Sequence, residues 1–194
     1  MAKKLGYRSR AAFKLLQLDR RYGLFERGDV VVDLGAAPGG WLQVAAERVG
    51  AGGFVLGVDL NPIAPLDREN VRTIQADILN PATADLVLGC LPRKADVVLS
   101  DASPKITGVW DVDHARSVEL ARGALRIASH VLKRGGRFVV KVFQGEEFPR
   151  FVTEVREQFG FVKISKPQAS RKASAEAYVL ARGFRQSGGS RASF

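Results

Sequence analysis

The 194-residue chain has one cysteine, Cys90, and only two histidines, His114 and His130. A single thiol excludes an internal disulfide and a thiolate metal cluster. Two histidines sixteen positions apart on one predicted helix are too few for a zinc site, so no metal is expected. His114 is placed to help start that helix, and His130 to sit near its C-terminal dipole, where positive charge is favourable. Cys90 lies among Leu86, Val87, Leu88 and Leu91, the setting of a buried, inert thiol. The chain has no Gly-x-Ser-x-Gly, no phosphate-loop Lys-Ser/Thr and no Cys-x-x-Cys. No apolar run approaches the roughly 20 residues needed to cross a bilayer. The first residues, Met-Ala-Lys-Lys-Leu-Gly6, form no apolar signal core, so a cytoplasmic protein without a membrane partner is expected.

The chain does have positive charge, +10 formally with a pI near 10.2, and the charge is unevenly placed. Residues 1–27 carry eight Lys/Arg against Asp19 and Glu26, and residues 163–185 carry six against Glu176. Residues 28–162 hold fifteen basic and seventeen acidic side chains. A nearly neutral body is therefore flanked by two basic ends. Two readings are open: solvated termini, or a polyanion-binding face if the ends meet in space. The second makes RNA the expected partner. An anionic membrane surface fits less well, since no strongly amphipathic Trp/Phe-bearing helix accompanies the charge.

Hydrophobic patterning predicts alternating elements. Residues 8–22 read as a helix with one apolar side, stopped by Gly23. Asp29–Asp33, Phe54–Val58, Val71–Gln75, Ala95–Ser100 and Arg137–Phe143 read as five strands. Helices are expected over Gly39–Val49, Pro81–Cys90, Asp113–Leu132 and Glu147–Gln158. Phe161–Ile164 and Ala177–Ala181 are the last two strands, with no helix-length segment between them, so at least one is expected to run antiparallel. The pattern is that of one doubly wound α/β domain over residues 1–185, with 1–27 a basic helical segment packed on it. Residues 186–194 are polar, and a flexible tail is expected there. No internal repeat is present.

The densest motif is Asp33-Leu-Gly35-Ala-Ala-Pro38-Gly39-Gly40-Trp41, which follows the first strand and opens a helix. Glycines here allow a ligand close to the backbone, at the carboxyl ends of the strands where doubly wound sheets bind their ligands. Asp59 ends the second strand 24 residues after Gly35, an offset suited to ribose hydroxyls. The spacing is not Gly-x-Gly-x-x-Gly, and Asp33 would repel a pyrophosphate but suits a cationic ligand with an ammonium group. The plainer reading is a turn that only joins strand to helix. Asp77 has two readings: acceptor for an adenine amine, or cap of the helix near Pro81. Asp101 follows the fourth strand. Lys141 lies inside an apolar strand, which is costly unless the amine is paired or used. Desolvation favours a neutral lysine amine, which makes Lys141 a candidate general base; the alternative is snorkelling to a strand end.

Five segments in order resemble the FtsJ/RrmJ-type (RlmE) ribose 2′-O-methyltransferases. They are Tyr7-Arg-Ser-Arg-Ala-Ala-Phe-Lys14-Leu, Asp33 to Trp41, Ser100-Asp101-Ala-Ser-Pro, Val140-Lys141-Val-Phe-Gln-Gly145 and Ser170-Arg-Lys-Ala-Ser-Ala-Glu176-Ala-Tyr. The resemblance implies a Rossmann-like S-adenosylmethionine-dependent methyltransferase domain with a seven-stranded, mostly parallel sheet and one antiparallel strand near the C-terminus. It implies a catalytic tetrad of Lys14, Asp101, Lys141 and Glu176, with Lys141 as proton acceptor for the 2′-hydroxyl. It implies cofactor contacts at Gly39, Trp41, Asp59, Asp77 and Asp101, joining Asp33, Gly35, Pro38 and Gly40 of the turn, and no metal. The implied substrate is a uridine of large-subunit ribosomal RNA, in a ribosomal particle or its precursor. Transfer RNA is the alternative within the family, and a non-catalytic ribosome-assembly factor the alternative outside catalysis. A monomer is expected. The segment between Asp101 and Asp113 departs from bacterial versions, with Lys105 and Trp110 distinctive; Trp110 stands either as a surface for a base or as core or loop packing.

Overall fold

Val30-Val-Val-Asp-Leu34 (β1) is buried along its whole length, which a strand of β-branched residues tolerates only at the centre of a sheet covered on both faces. A computed structural model describes residues 6–166 and 175–186. The segment 170–174 of the last motif and the expected tail beyond residue 186 lie outside the described residues. The chain runs α1 (Ala11–Tyr22), β1, α2 (Gly40–Val49), β2 (Phe54–Asp59), β3 (Val71–Gln75) and α3 (Thr83–Cys90). It continues through β4 (Ala95–Ser100), α4 (Trp110–Val131), β5 (Leu132–Phe143), α5 (Phe148–Gln158), β6 (Phe159–Ser165) and β7 (Glu176–Phe184).

The seven strands lie in the order β3-β2-β1-β4-β5-β7-β6. β7 runs antiparallel to both neighbours, and the other pairs are parallel. The expected single antiparallel strand is thus β7. Alternation along each strand splits the core in two. Val30, Val32 and Leu34 join the cluster under α3, α4 and α5. Val31 points the other way, into the cluster with α1 and α2. The strand order reverses between β1 and β4, so the crevice at their carboxyl ends is the place for a ligand. No described helix is long and apolar enough to cross a membrane.

Among the boundaries that differ from expectation, three are instructive. α4 begins at Trp110 rather than Asp113. Gly108 turns the chain with φ +87°, and Asp113, from inside the helix, accepts bonds from Thr107 N, Thr107 Oγ1 and Gly108 N. β5 begins at Leu132 rather than Arg137 and takes in Gly135 and Gly136: Leu132 pairs Ala95 and Arg137 pairs Val97, with a bulge between. α3 starts two residues after Pro81, and Asn80 rather than Asp77 accepts the Ala82 N–H ahead of it.

Candidate active site

The carboxyl end of the sheet gathers acids from four strands. Asp33 is in β1, Asp59 ends β2, Asp77 follows β3, and Asp101 follows β4. A cavity of about 320 Å³ is lined by Gly35, Asp59, Asp77 and Asp101, with Asn61, Ile78 and Leu120 among its other walls. That volume is within the range of small-molecule sites. Gly35 has φ +73°, and a Cβ there would lie 2.8 Å from the Ala102 backbone, so the β1 and β4 loops approach only because residue 35 is glycine.

Asp59 uses one oxygen to accept the Ala37 N–H (3.0 Å) and the other the Asn61 N–H (2.8 Å). Asp77 accepts the Leu79 N–H at 2.9 Å. Asp33 is fully buried, and neither of its oxygens has a hydrogen-bond partner among the described residues. Burial, then the charges of Asp101 and Asp59, push its carboxyl well above the usual range. An orphaned buried acid among further acids makes a field that favours a cation, which fits a ligand bearing an ammonium and a sulfonium. The residues present therefore fit S-adenosylmethionine: the cavity walls Asp59, Asp77 and Asp101 bring acceptor oxygens suited to an adenosine and carboxylates suited to a cationic methionine end.

The other turn residues serve the opposite side. The Ala37–Pro38 peptide is cis, and the Pro38 carbonyl accepts from Arg8 at 3.2 Å. Arg8 also donates to Pro65 O at 2.6 Å, tying the turn to the loop after β2. Gly39 and Gly40 lie against Arg8 and Ser9. Trp41 is buried; its indole N–H donates to Ala11 O at 2.8 Å, and its ring lies 5.9 Å from that of Tyr178. Pro38, Gly39, Gly40 and Trp41 thus seat the N-terminal segment on α2 and are not among the described walls of the cavity.

Beside the cavity, four expected residues from distant parts of the chain meet. Lys14 Nζ is 3.1 Å from Glu176 Oε2. Lys141, only 7 % exposed, donates to Asp101 O at 3.0 Å and lies 3.3 Å from Asp101 Oδ1 and 3.8 Å from Glu176 Oε1. Burial opposes ionisation of Glu176, but Lys141 and Lys14 hold its carboxyl below the usual range. The lysine is paired, which answers the cost of placing it in an apolar strand.

Sequence reasoning overlooked Tyr178 as part of this network. Its hydroxyl donates to Asp101 Oδ1 at 2.6 Å. Burial, followed by Asp101 as charge and acceptor, pushes its phenol well above 10, so it stays a donor. The signal was present: Glu176 and Tyr178 are two apart on a strand and so share a face. The pairing Lys141↔Tyr178 puts Lys141 on that face too. The described parts of the two basic ends also meet. Ala12, Leu15 and Leu18 of α1 share a core with Tyr178 and Leu180 of β7, and Arg182 donates to Gly23 O at 3.1 Å.

Comparison with known proteins agrees with this layout. The profile of the FtsJ-like methyltransferases matches residues 7–184. The ribosomal RNA large subunit methyltransferase E of Archaeoglobus fulgidus is 55% identical over 185 residues, covering 95% of this chain and 94% of that protein. The protein of the same name from Methanocaldococcus jannaschii is 50% identical, covering 94% of this chain and 76% of that one. A crystal structure of a ribosomal RNA methyltransferase from Plasmodium falciparum superposes with a TM-score of 0.78 at 28% identity, over 92% of this chain and 98% of that one. With a family match along nearly its whole length and relatives identical at half of their shared positions, this chain belongs to the FtsJ-like methyltransferase family.

Proposed function

We propose that the chain is an S-adenosylmethionine-dependent enzyme that methylates a ribose 2′-hydroxyl of large-subunit ribosomal RNA, at a uridine. The names of its half-identical relatives support the substrate class. One observation carries the chemistry: a buried lysine amine held between two carboxylates, one of which, Asp101, lines an acid-rich cavity. Bound at that cavity, S-adenosylmethionine supplies an electrophilic methyl group on a sulfonium. Lys141 takes the 2′-hydroxyl proton or holds that oxygen in place. Asp101 and Glu176 fix the Lys141 amine, and Tyr178 fixes Asp101. Lys14 holds Glu176 and faces the incoming ribose. Holding nucleophile and acceptor near van der Waals contact supplies most of what a displacement needs.

The joined basic ends are read as the face that takes the RNA backbone, with the protein acting as a cytoplasmic monomer and without a metal. Lys141→Ala is expected to abolish methyl transfer while S-adenosylmethionine still binds, measured by turnover and calorimetry. Normal turnover in that variant refutes the assignment. Mapping radiolabelled methyl on total RNA from a strain lacking the protein tests the substrate: label in the large-subunit RNA is expected, and label confined to transfer RNA refutes that part.

A further inference from the structure

Trp110, at the first turn of α4, is 48% exposed, yet its ring is not loose. It lies 5.7 Å from the buried His114 ring at 17° and 6.2 Å from the buried Phe143 ring at 14°, parallel to both. Both supports are fixed. Phe143 is the register partner of Glu176 and lies two residues beyond Lys141, on the tetrad's face of the sheet. His114 accepts the Glu147 N–H at Nε2, 3.1 Å. The loop carrying Trp110 is held by the three bonds to Asp113. An exposed tryptophan held parallel over two buried rings, one of them adjoining the catalytic network, is a flat pre-organised surface rather than core packing.

We propose that Trp110 is a stacking platform for an unpaired base of the RNA that flanks the target ribose, resting on the ribose-methylation reading above. A base presents a π-face whatever its identity, and stacking on an aromatic ring is the common way to hold single-stranded RNA. The exposed Lys105 and Arg116, on the loop and on α4, bring positive charge for the adjoining phosphates. Cationic side chains near Trp110 in the chain, against the single exposed acid Asp111 beside it, suit a nucleotide better than an apolar protein surface as the occupant. By orienting the strand, the platform would set which ribose reaches Lys141. Gly145 belongs to the same device: a Cβ there would come within 2.6 Å of the His114 ring, so the support requires glycine at that position.

Trp110→Ala and Trp110→Phe test the platform. With an unmethylated large-subunit RNA transcript, Trp110→Ala is expected to raise KM for RNA by about 10- to 100-fold, the worth of one stacked base. kcat and S-adenosylmethionine affinity should stay within a few fold, and Trp110→Phe should restore most of the loss. Fluorescence gives a readout independent of turnover. A single-stranded RNA oligonucleotide should quench Trp110 emission, measured against Trp110→Phe, whose sole tryptophan is the buried Trp41. Abasic substitution at one position should remove that quenching. An unchanged KM in Trp110→Ala, or quenching indifferent to abasic positions, overturns the platform. So does a loss seen only with ribosomal particles and not naked RNA, which would assign the surface to a protein partner. A wild-type enzyme that binds and quenches but transfers no methyl to RNA refutes the function and leaves the platform standing.

Discussion

The two ends of β1 handle buried acid in opposite ways. At the amino end, Asp29 accepts the Glu26 N–H at 2.8 Å and pairs with Arg137 at 2.9 Å. Burial pushes its carboxyl up, and those partners pull it part of the way back. Its neighbour Asp96 is held below the usual range, against burial, by Lys133, the Val30 N–H and Arg93. Four residues further on, inside β1, Asp33 has neither a cation nor a donor among the described residues. The amino end is electrostatically closed, whereas at the carboxyl end Asp33 is left unpaired among the described residues, behind the acids that line the cavity. Buried charge at the first end maintains the fold, whereas at the second it costs stability that a cationic ligand would offset.

The largest effect is expected where the pairing is complete. Asp29→Asn takes from the Arg137 guanidinium, which is only 11% exposed, its closest carboxylate, leaving it the Leu24 carbonyl and Glu26 at 4.0 Å. Breaking a buried pair from one side should cost on the order of 3 kcal/mol, seen as a lower denaturation midpoint. Asp33→Asn should act in the opposite sense on the cofactor-free protein, raising Tm by about 2–4 °C near neutral pH. The sign follows from its raised carboxyl. Its contribution to stability is fully present below the unfolded-state value and is lost as pH rises through the raised one. Wild type should therefore lose stability across that window while Asp33→Asn does not, so the two converge toward pH 4. Thermal melts from pH 4 to 8 check this, and a constant gap would break the comparison. The same variant should bind S-adenosylmethionine more weakly, by about 10-fold, with a smaller loss for S-adenosylhomocysteine, which lacks the sulfonium charge. The smallest effect concerns the joined basic ends: RNA affinity should fall steeply between low and moderate salt, and a flat response would reject them as the backbone-binding face.

Much of this was legible in the sequence because it depends on local pattern. The buried run ending in Asp33, the glycine turn after it and Asp59 at a fixed offset mark strand, loop and ligand end without any tertiary knowledge. So does the antiparallel turn-back near the C-terminus, from the missing crossover helix. The Lys14, Asp101, Lys141 and Glu176 grouping was legible only through resemblance, since its members are up to 162 positions apart. What escaped depends on register. The Tyr178 bond to Asp101 exists because Lys141 faces Tyr178 across β5 and β7, and the Trp110 stack exists because Phe143 ends that same strand. The start of α4 was placed three residues late because Asp113 looks like a first-turn acid, whereas its carboxylate binds back to Thr107 and Gly108. The turn residues 38–41 are read from sequence as ligand contacts; their described partners include Arg8, Ser9 and Ala11 at the N-terminal segment, with Leu66 and Tyr178.

The most direct test of a 2′-oxygen as the methyl acceptor is alkaline hydrolysis of RNA labelled by the purified protein from methyl-labelled S-adenosylmethionine. A methylated 2′-oxygen cannot attack its own phosphodiester, so the label should emerge in an uncleaved dinucleotide. Label recovered in mononucleotides would place the methyl on a base and contradict the assignment of the Lys141 site to ribose chemistry.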